Sequence, residues 1–125
     1  MPMMNASKIA LAFLDAMERR DLEAARGYLA PDFSMCFPGG AEMRRLEELV
    51  ERSSSRYCSV AKDFDRVDES STDESVVVYC SGRLRGVWSD GQAFSGIRFI
   101  DRFEIVDGLI RRQDVWNDMG AAAAR

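Results

Sequence analysis

Apolar residues recur at helical spacing along the first part of the chain and at the two-residue spacing of strands along the second. Ile9, Leu11, Phe13, Leu14 and Met17 form an apolar stripe behind Ser7, a good N-cap, and predict a helix running to about Arg20. Asp21 caps a second, short helix over Leu22–Leu29. Ala30-Pro31 ends it, because proline disfavours helix in the residue before it. Phe33–Phe37 reads as a short extended segment stopped by Pro38-Gly39-Gly40. A third helix is expected from Ala41 to about Ser53, with Met43, Leu46, Leu49 and Val50 facing inward.

The period then changes. Tyr57–Val67 alternates loosely as a strand, and the Ser- and acid-rich run Asp68–Glu74 reads as a solvated turn. Ser75–Trp88 is a long strand, Ser89-Asp90-Gly91-Gln92 a hairpin turn, and Phe94–Val106 the next strand. Asp107-Gly108 makes a second tight turn before a last strand, Leu109–Asn117. Gly82, Gly86 and Gly96 are positions for bends or bulges. Helices first and a meander afterwards mean α+β: a curved antiparallel sheet with three N-terminal helices on one face and a pocket between them. Residues 1–125 form one domain with an ordered core over about 6–118; the tail 119–125, low-complexity alanine from Gly120, is expected to fray.

Composition narrows the chemistry. With 46% hydrophobic and 30% charged residues the chain is an ordinary globular one, and its net charge of −4 argues against nucleic acid as a partner. No stretch is apolar enough for a membrane helix, and Met1-Pro2-Met3-Met4-Asn5 lacks the look of a signal peptide, so a cytoplasmic protein is expected. Cys36, Cys58 and Cys80 are odd in number and lack a C-x-x-C spacing; each is expected to be a reduced, buried hydrophobe. The chain has no histidine. That removes Ser-His-Asp and Cys-His nucleophile systems and imidazole metal sites. Phosphate-cradling glycine motifs and calcium-loop spacing are also absent, so neither a metal nor a cofactor is expected. Carboxylates, amides, Tyr, Lys, Arg and thiols remain for any chemistry.

Several short signatures fall in a telling order. Leu-Ala-Pro-Asp-Phe (29–33) closes the second helix and Phe-Pro-Gly-Gly (37–40) the first short strand. Phe-Ile-Asp-Arg-Phe (99–103), Asp-Gly-Leu-Ile (107–110) and Asp-Val-Trp-Asn-Asp (114–118) close the meander. Over roughly residues 6–118 the chain resembles the SnoaL-like branch of the nuclear-transport-factor-2-like superfamily. The resemblance implies a cone-shaped sheet wrapped around the helices, an apolar pocket and a homodimer formed through the sheet. It also implies a choice among ketosteroid isomerase, polyketide cyclase, epoxide hydrolase and dehydratase chemistries, or binding without turnover.

Asp101 is the leading catalytic candidate. It shares a strand face with Ile97, Phe99 and Phe103, an apolar setting that would tune a carboxyl for proton transfer. By resemblance it matches the neutral, hydrogen-bond-donating acid of the isomerases. The alternative is a structural pairing with Arg98, Arg102 or a backbone amide. The isomerase tyrosine and base fall on Phe13 and Phe37, which argues against that reaction. One relay aspartate of the epoxide hydrolases falls on Val115, and Arg83 and Arg85 near its arginine are expected to face outward. The cyclase acid would be Asp101 or Asp118, without its usual histidine. Gln113, Val115 and Asn117 are placed toward the pocket and Trp116 away from it. Phe13, Met17, Met35, Phe37, Tyr57 and Phe99 complete the expected substrate-binding wall, with Tyr79 and Trp88 as further aromatic candidates. The expected function is cofactor-independent lyase, isomerase or cyclase chemistry on an apolar carbonyl compound. The alternatives are a non-catalytic binder of a small apolar ligand, or an interaction module using the sheet face.

Overall fold

The computed structural model describes residues 5–123. The expectations for Met1–Met4 and for the last two residues of the tail lie outside them. A helix α1 (Ala6–Glu18) is followed by a short α2 (Leu22–Arg26), strands β1 (Leu29–Phe37) and β2 (Ala41–Met43), and a helix α3 (Leu46–Ser53). Four strands then run in succession: β3 (Tyr57–Ser71), β4 (Val76–Trp88), β5 (Ala93–Val106) and β6 (Leu109–Asn117), with a last short helix α4 (Met119–Ala123). They form one six-stranded sheet in the order β2-β1-β6-β5-β4-β3. All neighbours are antiparallel except β1 and β6, which pair in parallel. The class is α+β, as the change of period implies.

Caps and turns explain most boundaries. Asn5, not Ser7, caps α1, its side chain accepting from Lys8 N–H at 2.9 Å. Ser7 instead donates its amide (2.9 Å) and hydroxyl (2.5 Å) to Glu69 on β3, tying the helix to the sheet. Asp21 caps α2 as expected, through Ala24 N–H at 3.1 Å. Asp107 (φ 53°) and Gly108 (φ 78°) make the left-handed two-residue turn that Asp-Gly favours.

Four boundaries depart from the expectation. The second helix stops at Arg26, and β1 begins at Leu29, running through Pro31 where its pairing with β6 shifts register. Residues 41–43 are strand rather than helix. Gly39 and Gly40, at φ 89° and 77°, reverse the chain so that Met43 returns opposite Met35. The polar run expected to turn at Asp68 stays in β3 as far as Ser71, because β3 is an edge strand whose outward side chains meet water. The tail does not fray at once: Met119 and Ala122 of α4 pack against Leu84, Ile97 and Phe99.

The helices lie on the concave face. Phe13 of α1 meets the rings of Phe103 and Phe33 edge-on, with centroids 5.9 and 6.3 Å away. Around them gather Ile9, Leu14, Met35, Val78 and Ile110, all buried. A second apolar group, Leu84, Ile97 and Phe99, lies nearer the other end of the strands. Asp101 stands on β5 between Phe99 of one group and Phe103 of the other.

Sheet curvature comes from extra residues. Between Phe64 and Arg66 β3 advances two residues while β4 advances one, from Gly82 to Ser81. Gly82 lets the strands approach there: a Cβ on it would lie 1.9 Å from the Asp63 carbonyl oxygen. On β5 the extra residue falls between Phe94 and Ile97, where Gly96 takes φ 71°.

Candidate functional site

Between the helices and the concave face lies a cavity of about 140 Å³, close to the roughly 150 Å³ that admits one benzene-sized ring. Asp101 is wholly buried on its inner wall. Its register partners are Cys80 on β4 and Val115 on β6, which places it in the middle of the sheet.

Asp101 has neither of the arginine partners weighed for it. Arg98 pairs with Asp118 at 2.6 Å, and Arg102 lies 3.6 Å from Asp114. The partner is Lys62 of β3, whose Nζ donates to Asp101 Oδ2 at 2.5 Å and sits 5.0 Å from the centre of the Phe99 ring. Asp101 Oδ1 is buried and has no hydrogen-bond partner among the described residues. Asp101 is therefore half of an ion pair with one free oxygen, not a lone acid in an apolar cone. The charge of that pair reaches Cys80. Burial first, and the Asp101 carboxylate second, push its thiol up to about 12, while Lys62 pulls it down in part.

Most of the expected wall residues meet at this cavity. Phe13 and Met17 reach it from α1, Phe37 and Tyr57 from the ends of β1 and β3, and Phe99 from β5. Gln113, Val115 and Asn117 line it from β6, as their common face implies. Gln113 Oε1, like Asp101 Oδ1, is buried without a partner among the described residues. Asn117 Oδ1 accepts from Met119 N–H at 3.1 Å, so its amide N–H groups are the donors left over.

Other candidates lie elsewhere. Met35 does not line the cavity; it is fully buried among the core side chains under α1. Tyr79 is exposed on the outer face, and Trp88 stacks on Phe94 with ring centroids 4.2 Å apart. Asp118 is a surface partner of Arg98, which removes it as a pocket acid. Arg83 and Arg85 face outward as expected, Arg85 bonding Asp63 at 3.0 Å. Trp116 points away from the cavity and is 54% exposed. Of the three free cysteines only Cys80 is buried; Cys36 is half-buried and Cys58 exposed, at the extra residue between Tyr57 and Ser59. Among the described residues no group of three or more Cys, Asp or Glu is placed to hold a metal ion.

Sequence reading missed Lys62. A signal for it existed: it alternates with Val60 and Phe64 on one strand face, and it and Lys8 are the only lysines among 17 basic residues. It also missed Arg20, Arg52 and Arg56, which line the opening beside Glu18. Loop and helix-end positions carry no periodicity that would have pointed to them.

Residues 10–113 match the SnoaL-like domain family. The chain belongs to it. No curated protein matches the sequence. Among solved structures this SnoaL-like chain is similar to an NTF2-like protein of unknown function from Burkholderia pseudomallei (18% identity, TM-score 0.78, 97% of each chain covered). It is similar also to TerC, co-crystallized with polyporic acid (16%, TM-score 0.74, 94% of each chain). A third is a protein from Xanthomonas campestris described as a polyketide cyclase (16%, TM-score 0.68, 95% of this chain and 94% of that one). At these identities the likeness establishes the NTF2-like fold. Among the described residues no helix of this SnoaL-like chain is long and apolar enough to cross a membrane.

Proposed function

We propose that the cavity binds a small, largely apolar carbonyl compound and that Asp101 acts on it as acid/base in a cofactor-independent lyase, isomerase or cyclase step. One observation carries the reading: a fully buried carboxylate faces an apolar cavity with one oxygen held by Lys62 and the other free. The free oxygen takes a proton from the carbon next to the carbonyl, and the electron pair left behind moves onto the carbonyl oxygen as an enolate. The Lys62 ammonium and the amide N–H groups of Gln113 and Asn117 are the donors that would meet that oxygen. Asp101 then returns its proton at another carbon, or the enolate attacks a second carbonyl, or it expels a leaving group. A neighbour co-crystallized with polyporic acid and another described as a polyketide cyclase support a ligand-holding use of this scaffold.

The test is a thermal-shift screen with single-ring aromatic ketones and small polyketide fragments, followed by turnover assays on the hits. Binding to the native state must raise its apparent stability. Asp101→Asn is expected to keep binding and lose turnover; no stabilisation by any compound at millimolar concentration would remove the reading.

A second reading, binding without turnover, is favoured by the ion pair itself, since Lys62 already neutralises Asp101. It predicts ligands that stabilise the protein and leave it chemically unchanged. The outer face supports a homodimer: Ile100 and Trp116 are directly opposed on β5 and β6, 45% and 54% exposed. The same face is where a different partner protein would sit under the interaction-module alternative.

A further inference from the structure

The polarity of the cavity runs in one direction. At its inner end Asp101 Oδ1 and Gln113 Oε1 are buried acceptors without partners among the described residues. A carboxylate oxygen can only accept, and buried polar atoms in folded proteins nearly always have a partner, so the inner end calls for a donor. The middle of the cavity is apolar, walled by Phe13, Phe37, Leu84 and Phe99.

The outer end is cationic. Arg20, Arg52 and Arg56 are exposed, line the opening, and form no ion pair among the described residues. Of the arginines that do not line it, Arg19, Arg26 and Arg98 have acidic partners, while Arg44, Arg45 and Arg83 form no ion pair among the described residues but lie apart from the cavity. Three guanidinium groups against the single Glu18 carboxylate give the opening a net positive charge, in a chain with 21 acids against 17 bases. Glu18, the acid beside them, is engaged by the Lys62 backbone N–H at 3.0 Å. Arg20 also sits at φ 58°, a left-handed position that glycine would occupy with less strain. Its Nη1 donates to Met17 O at 2.6 Å, which fixes the guanidinium over the end of α1.

We infer that the cavity takes a small amphipathic carboxylate in one orientation: a hydroxyl at the inner end against Asp101 and Gln113, one ring-sized apolar body, and the carboxylate at the opening against the arginines. The inference rests on the reading of the cavity as a ligand site, in its form of binding without turnover, and names the class of molecule for it. Planar guanidinium groups suit a carboxylate because they bind both of its oxygens at once. The volume of about 140 Å³ limits the apolar part to about one ring.

Calorimetry on the full chain with three probes tests this: 4-hydroxycinnamate, its methyl ester, and 4-methoxycinnamate. The hydroxy acid is expected to bind most tightly. Masking either end should weaken binding at least tenfold, and only the two carboxylates should lose affinity as salt rises. Arg52→Gln and Arg56→Gln, both at exposed positions, should each weaken the hydroxy acid several-fold and leave the ester unchanged. Equal affinity for all three probes overturns the inference and leaves the ligand-site reading standing. So does binding of an aromatic ketone with none of the three probes. If no probe and no ketone binds, both fall.

Discussion

Lys62 extends from the edge strand β3 to end 2.5 Å from Asp101, a carboxylate with no exposed surface at the centre of the sheet. The two charges differ in environment: the Lys62 side chain keeps 23% of its surface in contact with solvent. Removing Lys62 alone leaves an uncompensated buried carboxylate. Lys62→Met is therefore expected to cost about 2–3 kcal/mol, less than the ~3–5 of a pair buried at both ends. Adding Asp101→Asn to that variant should recover much of the loss, because the double variant buries no charge. Denaturant unfolding of the two singles and the double gives the coupling directly. Strict additivity would mean that the pair does not form in solution.

Cys80 gives the pH dependence. Its thiol is raised from 9.0 to about 12, by burial first and the Asp101 charge second. In the unfolded chain it ionises near 9.0, so above that pH the unfolded state has lost a proton that the folded state retains. Its stabilising contribution is whole below about pH 9 and falls as pH rises toward 12, by up to about 1.4 kcal/mol per pH unit. The stability difference between wild type and Cys80→Ala should shrink accordingly between pH 9 and 11; a flat difference would contradict the burial. At pH 8 a thiol reagent should label Cys58 in the folded protein and Cys80 only after unfolding.

Gly82 is required by close approach. An added Cβ would lie 1.9 Å from the Asp63 carbonyl oxygen, a backbone atom that cannot move without breaking the β3–β4 pairing. Gly82→Ala should cost about 1–3 kcal/mol in denaturant unfolding. Gly120→Ala, on α4 with open space around it, is the control and should be neutral or stabilising by up to about 1 kcal/mol. Equal effects at the two positions would refute the packing argument.

The order of the meander, both Asp-Gly and Ser-Asp-Gly turns, and the inward face of β6 are legible in the sequence because two-residue alternation and turn chemistry are local. Residues 41–43 are not legible: their helical spacing of apolar residues is overridden by the two glycines that turn the chain back onto β1. Asp101 is legible as a carboxylate on an apolar strand face. Its partner is not, because Lys62 lies 39 residues away and reaches it across β4, a contact that depends on how the strands align. Phe13 and Phe37 line the cavity as their apolar character implies, and Asp101 and Lys62 are the charged pair on its inner wall.

The outer face predicts assembly. Light scattering at micromolar concentration should show a dimer for the wild type and a monomer for Trp116→Glu, since a charge against Ile100 would be buried in the interface. A monomeric wild type would end the homodimer proposal.

Proton transfer by Asp101 is the central claim, and exchange of hydrogen for deuterium next to a carbonyl measures it most directly. Phenylacetone incubated in D2O with the protein and followed by NMR should exchange its benzylic protons with saturable kinetics. Asp101→Asn should slow that exchange by at least about a hundredfold, the usual scale of a positioned base, while retaining ligand-induced stabilisation. Exchange that proceeds equally fast with Asp101→Asn, or no faster with wild type than in buffer despite binding, would contradict the claim.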